Sequence, residues 1–414
     1  MNQSQSQPKP QPQSPAPITT RSELLDALTM ACELEHGLSL QYLFAAFSLR
    51  SDPDDGLTRN QLIRVRTWAS SIFFVAAQEM FHLAQASNLL LAIGGAPHLA
   101  RPNFPQPPGI YPTDLGWELT GFSAATIDRF IAYESATAST GPSTAGDRRL
   151  PHETIGEMYE AIADAFERLD IPDGVLFVGA PDDQILGSQV DFPMLIEVTN
   201  RTNAVEACRL VIAEGEGSRA DTADCHEGVF RTIRRELDEF DPSVDPARPV
   251  ADNPLARSHG DVGPSGPDAI VNPIADPITR AVQEVSNATY DVLVLALLRY
   301  FAGGRHDPAA PTVKAVTLQL MTTVIRPLGE LLTRLPMGEG YDGLTAGPSF
   351  EMSPDVELLP HPHAARTLMA EQLAVAARDA AQIADEPVLS SRDASVLVVV
   401  ADNLARFAAM LETA

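Results

Sequence analysis

The sequence predicts an all-α protein built as two helical bundles joined by a proline-rich connector. Three observations lead there. The chain is rich in alanine and leucine while aromatics make up only 6% of it, a composition that favours helix over sheet. Apolar residues recur at steps of three and four through long segments of both halves, which is the helical period. From Asp241 to Pro277 that period stops and prolines recur with Gly, Asp and Ser, the composition of a linker. A length of 414 residues, 44% of them hydrophobic, is enough for two or three domains with sizeable cores.

Taken in order, the Gln/Pro/Ser tract from Asn2 to Pro17 has neither a basic start nor an apolar run. It is expected to be a disordered tail, residues 1–18, rather than a signal peptide. A first long helix is predicted from Thr20 to Leu49 and a second from Arg59 to Ile93, the latter ended by Gly94 and Gly95 with Pro97 beyond. The proline-rich segment Ala96–Asp114 reads as a loop, long enough to roof a pocket. Shorter helices are predicted at Thr154–Leu169, Thr202–Gly215 and His226–Phe240, with a short strand at Val175–Val178. After the connector come helices Ile278–Phe301, Thr312–Leu335, Ala364–Ala384 and Ser391–Leu411. The expected division is a first bundle over 19–240, a linker over 241–277 and a second bundle over 278–414.

Charge narrows the partners. With 29 basic and 55 acidic residues the net charge is −26, so the surface repels phosphate, and nucleic acids and anionic membranes are excluded. Most of that charge reads as a solvated face; docking of a basic electron-transfer protein is the functional alternative. The longest aliphatic run, Val292–Leu298, is far too short to span a bilayer. The three cysteines, Cys32, Cys208 and Cys225, show no CxxC spacing, which fits a reducing compartment and a cytoplasmic protein.

The chemistry is carried by interruptions of the apolar stripes. On the first helix Leu24, Leu28, Ala31, Glu35, Leu38, Tyr42, Ala45 and Leu49 share one face, which places the Glu35 carboxylate in a core. On the second, Val65, Trp68, Ile72, Val75, Glu79, His82, Ala86, Leu89 and Ile93 do the same. Glu79 and His82, three residues apart, stand side by side on its buried face. Val205, Cys208, Ile212 and Glu216 form a stripe that ends in a carboxylate, one that Glu214 does not join. The stripe His226, Phe230, Ile233, Leu237 and Phe240 opens with an imidazole.

Each unpaired buried charge costs several kcal/mol, against a total stability of roughly 5–15 kcal/mol. Three such carboxylates need compensation. A divalent metal supplies it, because carboxylate oxygen and imidazole nitrogen are its usual ligands, and helical Glu-x-x-His is the ligand pair of di-metal bundles. The competing reading pairs a buried glutamate with Arg64 or Arg209. A lone Glu-x-x-His is common on helices; four coincident interruptions are not.

These residues also resemble a known family. ELEHGLSLQYLFAAFSL, with Glu35 followed by Tyr42, looks like the first ligand helix of ferritin-like proteins. QEMFHLAQASNLLLAIGGAPHLARPNFP (78–105) is similar to the ferritin-like family that includes the iminophenyl-pyruvate dimer synthases of violacein- and rebeccamycin-type biosynthesis. TIGEMYEAI (154–162), the EGEG at 214–217, His226 with Phe230, and GLTAGPSFE (343–351) match the same pattern. The resemblance implies Glu35, Glu79, His82, Glu216 and His226 as metal ligands, with Glu157 a sixth through TIGEMYEAI. Glu157 lies off its own helix's stripe of Ile155, Met158, Ile162, Ala165 and Leu169. A departure stands three residues before His226, where Ala223 replaces the glutamate of a second Glu-x-x-His.

The expected protein is therefore a ferritin-like bundle followed by a second helical bundle that supports it or mediates a homodimer. It would hold one or two iron ions, or another divalent metal. The expected function is non-haem iron oxidoreductase chemistry, with dioxygen and an electron-donor protein as co-reactants. The substrate would be a small, amino-acid-derived intermediate of natural-product biosynthesis. Tyr42 would tune or relay a one-electron step, or pack in the core with its hydroxyl satisfied. The alternatives are iron storage and a non-catalytic interaction protein.

Overall fold

The computed structural model describes residues 17–106, 111, 116–135, 154–170, 175–190, 192–215, 225–256, 270–303, 307–354 and 356–414, the side chains of 189 and 190 excepted. The expected tail, apart from Pro17 and Ile18, lies outside the described residues. The helices are α1 (Arg21–Ser48), α2 (Arg59–Ala92), α3 (Ala124–Tyr133), α4 (Ile155–Leu169), the single turn α5 (Gly187–Val190), α6 (Arg201–Gly215), α7 (His226–Asp238), α8 (Pro277–Gly303), α9 (Ala310–Leu320), α10 (Arg326–Leu332), α11 (Pro362–Ala384) and α12 (Ser391–Glu412). The described strands are β1 (Pro254–Leu255) and β2 (Asn272–Pro273), paired in parallel.

The ends of the long helices follow from local chemistry. Thr20 and Thr58 each close a capping box, with Glu23 and Gln61 respectively, which satisfies backbone donors that a helix start leaves open. Gly94 takes φ 86° just beyond α2, a left-handed stop that glycine adopts without a side-chain penalty. Val175–Val178 is not a strand. No second strand lies beside it among the described residues, and Val178 and Gly179 instead donate their N–H groups to Ala92 O, an orphan carbonyl at the end of α2.

α1 and α2 form the central pair. Every residue from Leu34 to Tyr42 is buried, and so is every residue from Phe81 to Ile93. A helix buried all round has neighbours on every face. On one side the pair meets α4, α6 and α7, with α3 packed on α7; on the other α1 meets α10 and, through His36 and Tyr290, α8 of the second bundle. One continuous apolar cluster runs from Leu24 to Leu411 through both bundles. Polar contacts cross the same boundary: the Tyr290 hydroxyl lies 2.6 Å from His36 Nε2, and Arg101 donates to Phe350 O at 2.6 Å. The connector is laced down as well, with Arg248 paired to Asp55 at 2.6 Å and Leu119 N–H donating to Asn253 Oδ1 at 2.9 Å.

Two elements differ from expectation. Helix α3 stands where none was predicted, capped by Ser123, whose Oγ accepts from Thr126 N–H at 3.1 Å. The helix predicted over Thr312–Leu335 is divided by a π-turn, Met321–Ile325, just before Pro327. Proline has no N–H to continue an α-helical ladder and crowds the preceding turn, and a wider turn accommodates it. α12 is long and apolar enough by length and composition to cross a membrane, with mean hydropathy 1.6 over 18 residues. Its face of Leu397, Val400, Leu404 and Phe407 is buried within the second bundle, as in the core helix of a bundle.

Gly329 on α10 tests the contact between bundles. A methyl group there would stand 2.6 Å from the Phe47 ring of α1. Alanine gains roughly 1 kcal/mol of helix propensity over glycine, while overpacking costs roughly 1–3 kcal/mol. Gly329→Ala should therefore lower the denaturant midpoint of unfolding; an unchanged or higher midpoint would mean that α10 and α1 are not in this contact.

Candidate metal centre

Three helices bring four ionisable side chains to one buried point between α1 and α2. Glu35 comes from α1, Glu79 and His82 from α2, and His226 is the first residue of α7; all four are at most 2% exposed. The Glu-x-x-His spacing puts Glu79 Oε2 3.0 Å from His82 Nδ1 on one helix face. The other oxygen of Glu79 lies 2.9 Å from His226 Nδ1, so Glu79 stands between the two imidazoles.

Two further carboxylates complete the cluster. Glu134, the C-cap residue of α3, is 4% exposed, with Oε2 3.5 Å from His226 Nδ1. Glu214, one residue before the end of α6, lies 3.3 Å from His82 Nε2. The outer carboxylates are each held by a tyrosine: Tyr159 of α4 donates to Glu35 Oε1 at 2.6 Å, and Tyr42 donates to Glu134 Oε1. The sequence therefore reads as a relay Tyr159–Glu35–His82–Glu79–His226–Glu134–Tyr42, with Glu214 beside His82.

Electrostatics follow from this geometry. Burial pushes the Glu35 carboxyl up to about 7 even against the pull of His82. Burial, then the charge of Glu79, also raises Glu134. Glu79 goes the other way: burial disfavours its charge, but His226 and His82 on its two sides outweigh that and hold it below the ordinary carboxylate range. Burial lowers both imidazoles and their carboxylates overcome it, Glu79 and Glu134 taking His226 to about 10, and Glu214, Glu35 and Glu79 raising His82 well above its ordinary value. Burial with the neighbouring carboxylates keeps Tyr42 and Tyr159 protonated, so both serve as hydrogen-bond donors.

The donor set fits a divalent metal. Glu79, His82 and His226 each offer an atom within 4.8 Å of the others. Among the described residues, Glu79 Oε1 and both ring nitrogens of His226 are buried without a hydrogen-bond partner, the 2.9 Å contact between them being misaligned for one. Buried polar atoms without partners are rare unless a bound ion or water completes them. Four carboxylates and two imidazoles also match the composition of a di-metal bundle site. A cavity of about 20 Å³ lies among Glu35, Glu79, His82 and Glu134, room for one water-sized body.

The arginine alternative finds no support in the contacts. Arg64 donates to Glu236 O and lies over Trp68 and Phe240, and Arg209 is exposed. Among the described residues no arginine or lysine is ion-paired with the six donors.

Several expected placements change. Glu157 is exposed on the first turn of α4, and Tyr159, two residues on, takes the inward direction. Glu216 lies outside the described residues. The buried residues of α6 are Ala204, Val205, Ala207, Cys208, Val211 and Gly215, with Ile212 half-buried at the edge of that face, and Glu214 of this helix meets His82. Tyr42 packs its ring on Phe130 and Phe230 while its hydroxyl orients Glu134. The described part of Ala96–Asp114 does not roof the cavity; it reaches the second bundle through Arg101 and Asn103. The cavity is closed instead by Ile155 and Gly156 of α4 and Val211, Ile212 and Gly215 of α6. The three cysteines are buried and free.

Glu134 was missed altogether. Its signal is the run Ile127, Phe130, Glu134, an apolar stripe at steps of three and four that ends in an acid, preceded by the capping serine Ser123.

Comparison with known proteins agrees with this architecture. The dichlorochromopyrrolate synthase of Lentzea aerocolonigenes is 28% identical over an alignment of 426 residues, covering 90% of this chain and 40% of that protein. The 2-imino-3-(indol-3-yl)propanoate dimerase of Chromobacterium violaceum is 26% identical over 371 residues, covering 80% of this chain and 34% of its own. The chain thus spans well under half the length of either relative. A ferritin-like protein from Caulobacter vibrioides of known crystal structure overlays 82% of this chain and 100% of its own, with a TM-score of 0.49 and 19% identity. A family model described as Ferritin-like matches residues 28–235, just over half of the sequence and the whole span from Glu35 to His226. The chain belongs to the Ferritin-like family.

Proposed function

We propose that the chain is a metal-dependent biosynthetic oxidoreductase. Glu35, Glu79, His82, Glu134, Glu214 and His226 would hold one or two divalent ions, iron foremost. The substrate would be a small aromatic compound derived from an amino acid, of the indolyl imino-acid kind that one relative's name specifies. The observation that carries this reading is Glu79 between two imidazoles, with buried atoms of Glu79 and His226 left without hydrogen-bond partners. Iron bound there supplies the one-electron redox chemistry that side chains lack.

The chain's own residues do the rest. Tyr159 and Tyr42 each occupy one oxygen of an outer carboxylate, which leaves Glu35 Oε2 and Glu134 Oε2 turned toward the imidazoles. Such fixed orientation preorganises a site. Glu35, at about 7, holds or releases a proton near neutral pH, the range in which general acid–base groups work. Ile155, Gly156, Val211 and Ile212 exclude bulk water.

Metal analysis by plasma emission on protein purified without chelators should find stoichiometric iron. Glu79→Gln and His82→Gln should each lose most of it, while Glu157→Gln keeps it. Metal-free wild-type protein, or retention of metal by both first variants, would sink the proposal.

Chelation generates a second expectation. Glu35, raised to about 7, favours the folded state when protonated, so that stability is present below its ordinary 4.5 and is lost as the pH rises through about 7. His226, raised to about 10, is stabilising below its ordinary 6.5 and loses that contribution as the pH rises toward about 10. Glu79 is held low, so its contribution is lost only in acid. The chelated protein should therefore melt lower as the pH rises from about 5 to about 8, and Glu35→Gln should flatten that decline. A melting temperature indifferent to pH in the chelated wild type would contradict the burial of Glu35.

A further inference from the structure

A second concavity lies on the other face of the α1–α2 pair. His36 and Met80 line it, and each directly follows a residue of the metal centre, Glu35 and Glu79. One residue turns a helical side chain by about 100°, so the two sites share helices but not faces. The cavity measures about 350 Å³, within the roughly 300–1,000 Å³ of small-molecule pockets. Its walls are apolar side chains of both bundles, Leu40 and Leu43 of α1 facing Leu293 and Leu297 of α8.

The polar groups at its two ends differ. At the buried end, Tyr290 and His36 satisfy each other at 2.6 Å, His36 Nδ1 faces Leu99 O at 2.8 Å, and Arg101 donates to the Tyr290 hydroxyl at 3.1 Å. The Tyr290 and His36 donors at that end are therefore already used and offer nothing to a carboxylate. Exposed lining residues Leu318, Thr322 and Arg326 mark the open end. Lys314, one of two lysines in the chain, is half-buried there and has no hydrogen-bond or ion-pair partner among the described residues. Arg326 is already paired with Glu330 at 2.9 Å. In a chain of net charge −26, the mouth of an apolar cavity thus carries about one uncompensated positive charge. The π-turn Met321–Ile325 forms part of the same wall, and such turns recur at functional sites.

We propose that this cavity binds a small apolar molecule with a single carboxylate, its body against the His36–Tyr290 end and its carboxylate at Lys314. A monoanion matches the one free charge; a neutral molecule leaves it unmatched, and a dianion exceeds it.

Calorimetric titration of the full chain with decanoate, and separately with 3-(indol-3-yl)propanoate, distinguishes an aliphatic from an aromatic source. One of them should bind at one site per chain. Lys314→Gln should weaken binding about tenfold, the scale of one charge-assisted contact. Leu43→Trp, which fills the cavity, should abolish it. Binding should persist in Glu79→Gln, which separates this site from the metal centre whatever becomes of the proposed function. Lys314 is half exposed and outside the core, so its variant folds and keeps the test decisive. Binding of neither probe, or binding unchanged in Lys314→Gln, overturns the proposal.

Discussion

Glu79 lies between His82 and His226, and the positions of most helices in the first bundle follow from that contact. A buried ion without a partner costs several kcal/mol, a large fraction of what holds a domain together. Glu79 and the imidazoles answer one another, and the chain of contacts extends through His82 to Glu35 of α1 and Glu214 of α6, and through His226 to Glu134 at the end of α3. Helices whose remaining contacts are mostly apolar are thereby held in one register. Apolar packing alone tolerates sliding and substitution; a carboxylate that must meet two imidazoles does not.

The same contacts show how the chain bears its acidic core without a metal. Two imidazoles driven toward the charged form face a central carboxylate driven toward its own, while the outer carboxylates Glu35 and Glu134 are pushed toward neutrality. The cluster thus approaches electrical balance through shared protons. A cation entering it would displace those protons, which would make metal affinity and protonation two sides of one equilibrium.

What the sequence made legible was the periodic part. The α1 and α2 stripes brought Glu35, Glu79 and His82 to one place because all three sit mid-helix, where a step of three or four maps directly onto a face. Glu134 and Glu214 sit at helix ends, where too few turns remain for a period to fix direction. The α6 stripe through Val205 and Cys208 consequently gave no warning of Glu214, and α3 went unseen. TIGEMYEAI pointed to the right helix and the wrong residue, since Tyr159 rather than Glu157 faces the centre. Resemblance finds the segment; packing decides which side chain turns inward. All-round burial of α1 and α2 was also hidden, because a second apolar face looks like a merely hydrophobic helix until its covering bundle is known.

That second face changes how the centre must work. The space beside Glu35, Glu79, His82 and Glu134 is about 20 Å³, which holds a water-sized body and no aromatic ring. α1 and α2 are tied to the second bundle on their other side, where Gly329 of α10 touches Phe47 and Tyr290 of α8 bonds to His36, and this resists their moving apart to enlarge it. The remaining walls are helix ends, Ile155–Gly156 at the start of α4 and Val211–Gly215 at the close of α6. Helix ends have fewer internal hydrogen bonds than helix centres and open at lower cost. On the proposed function, a substrate the size of an indole would reach the donors by displacing one of these ends, while the central pair keeps Glu35, Glu79 and His82 in place. The second bundle contributes to the centre by that rigidity, without supplying any of its six donors.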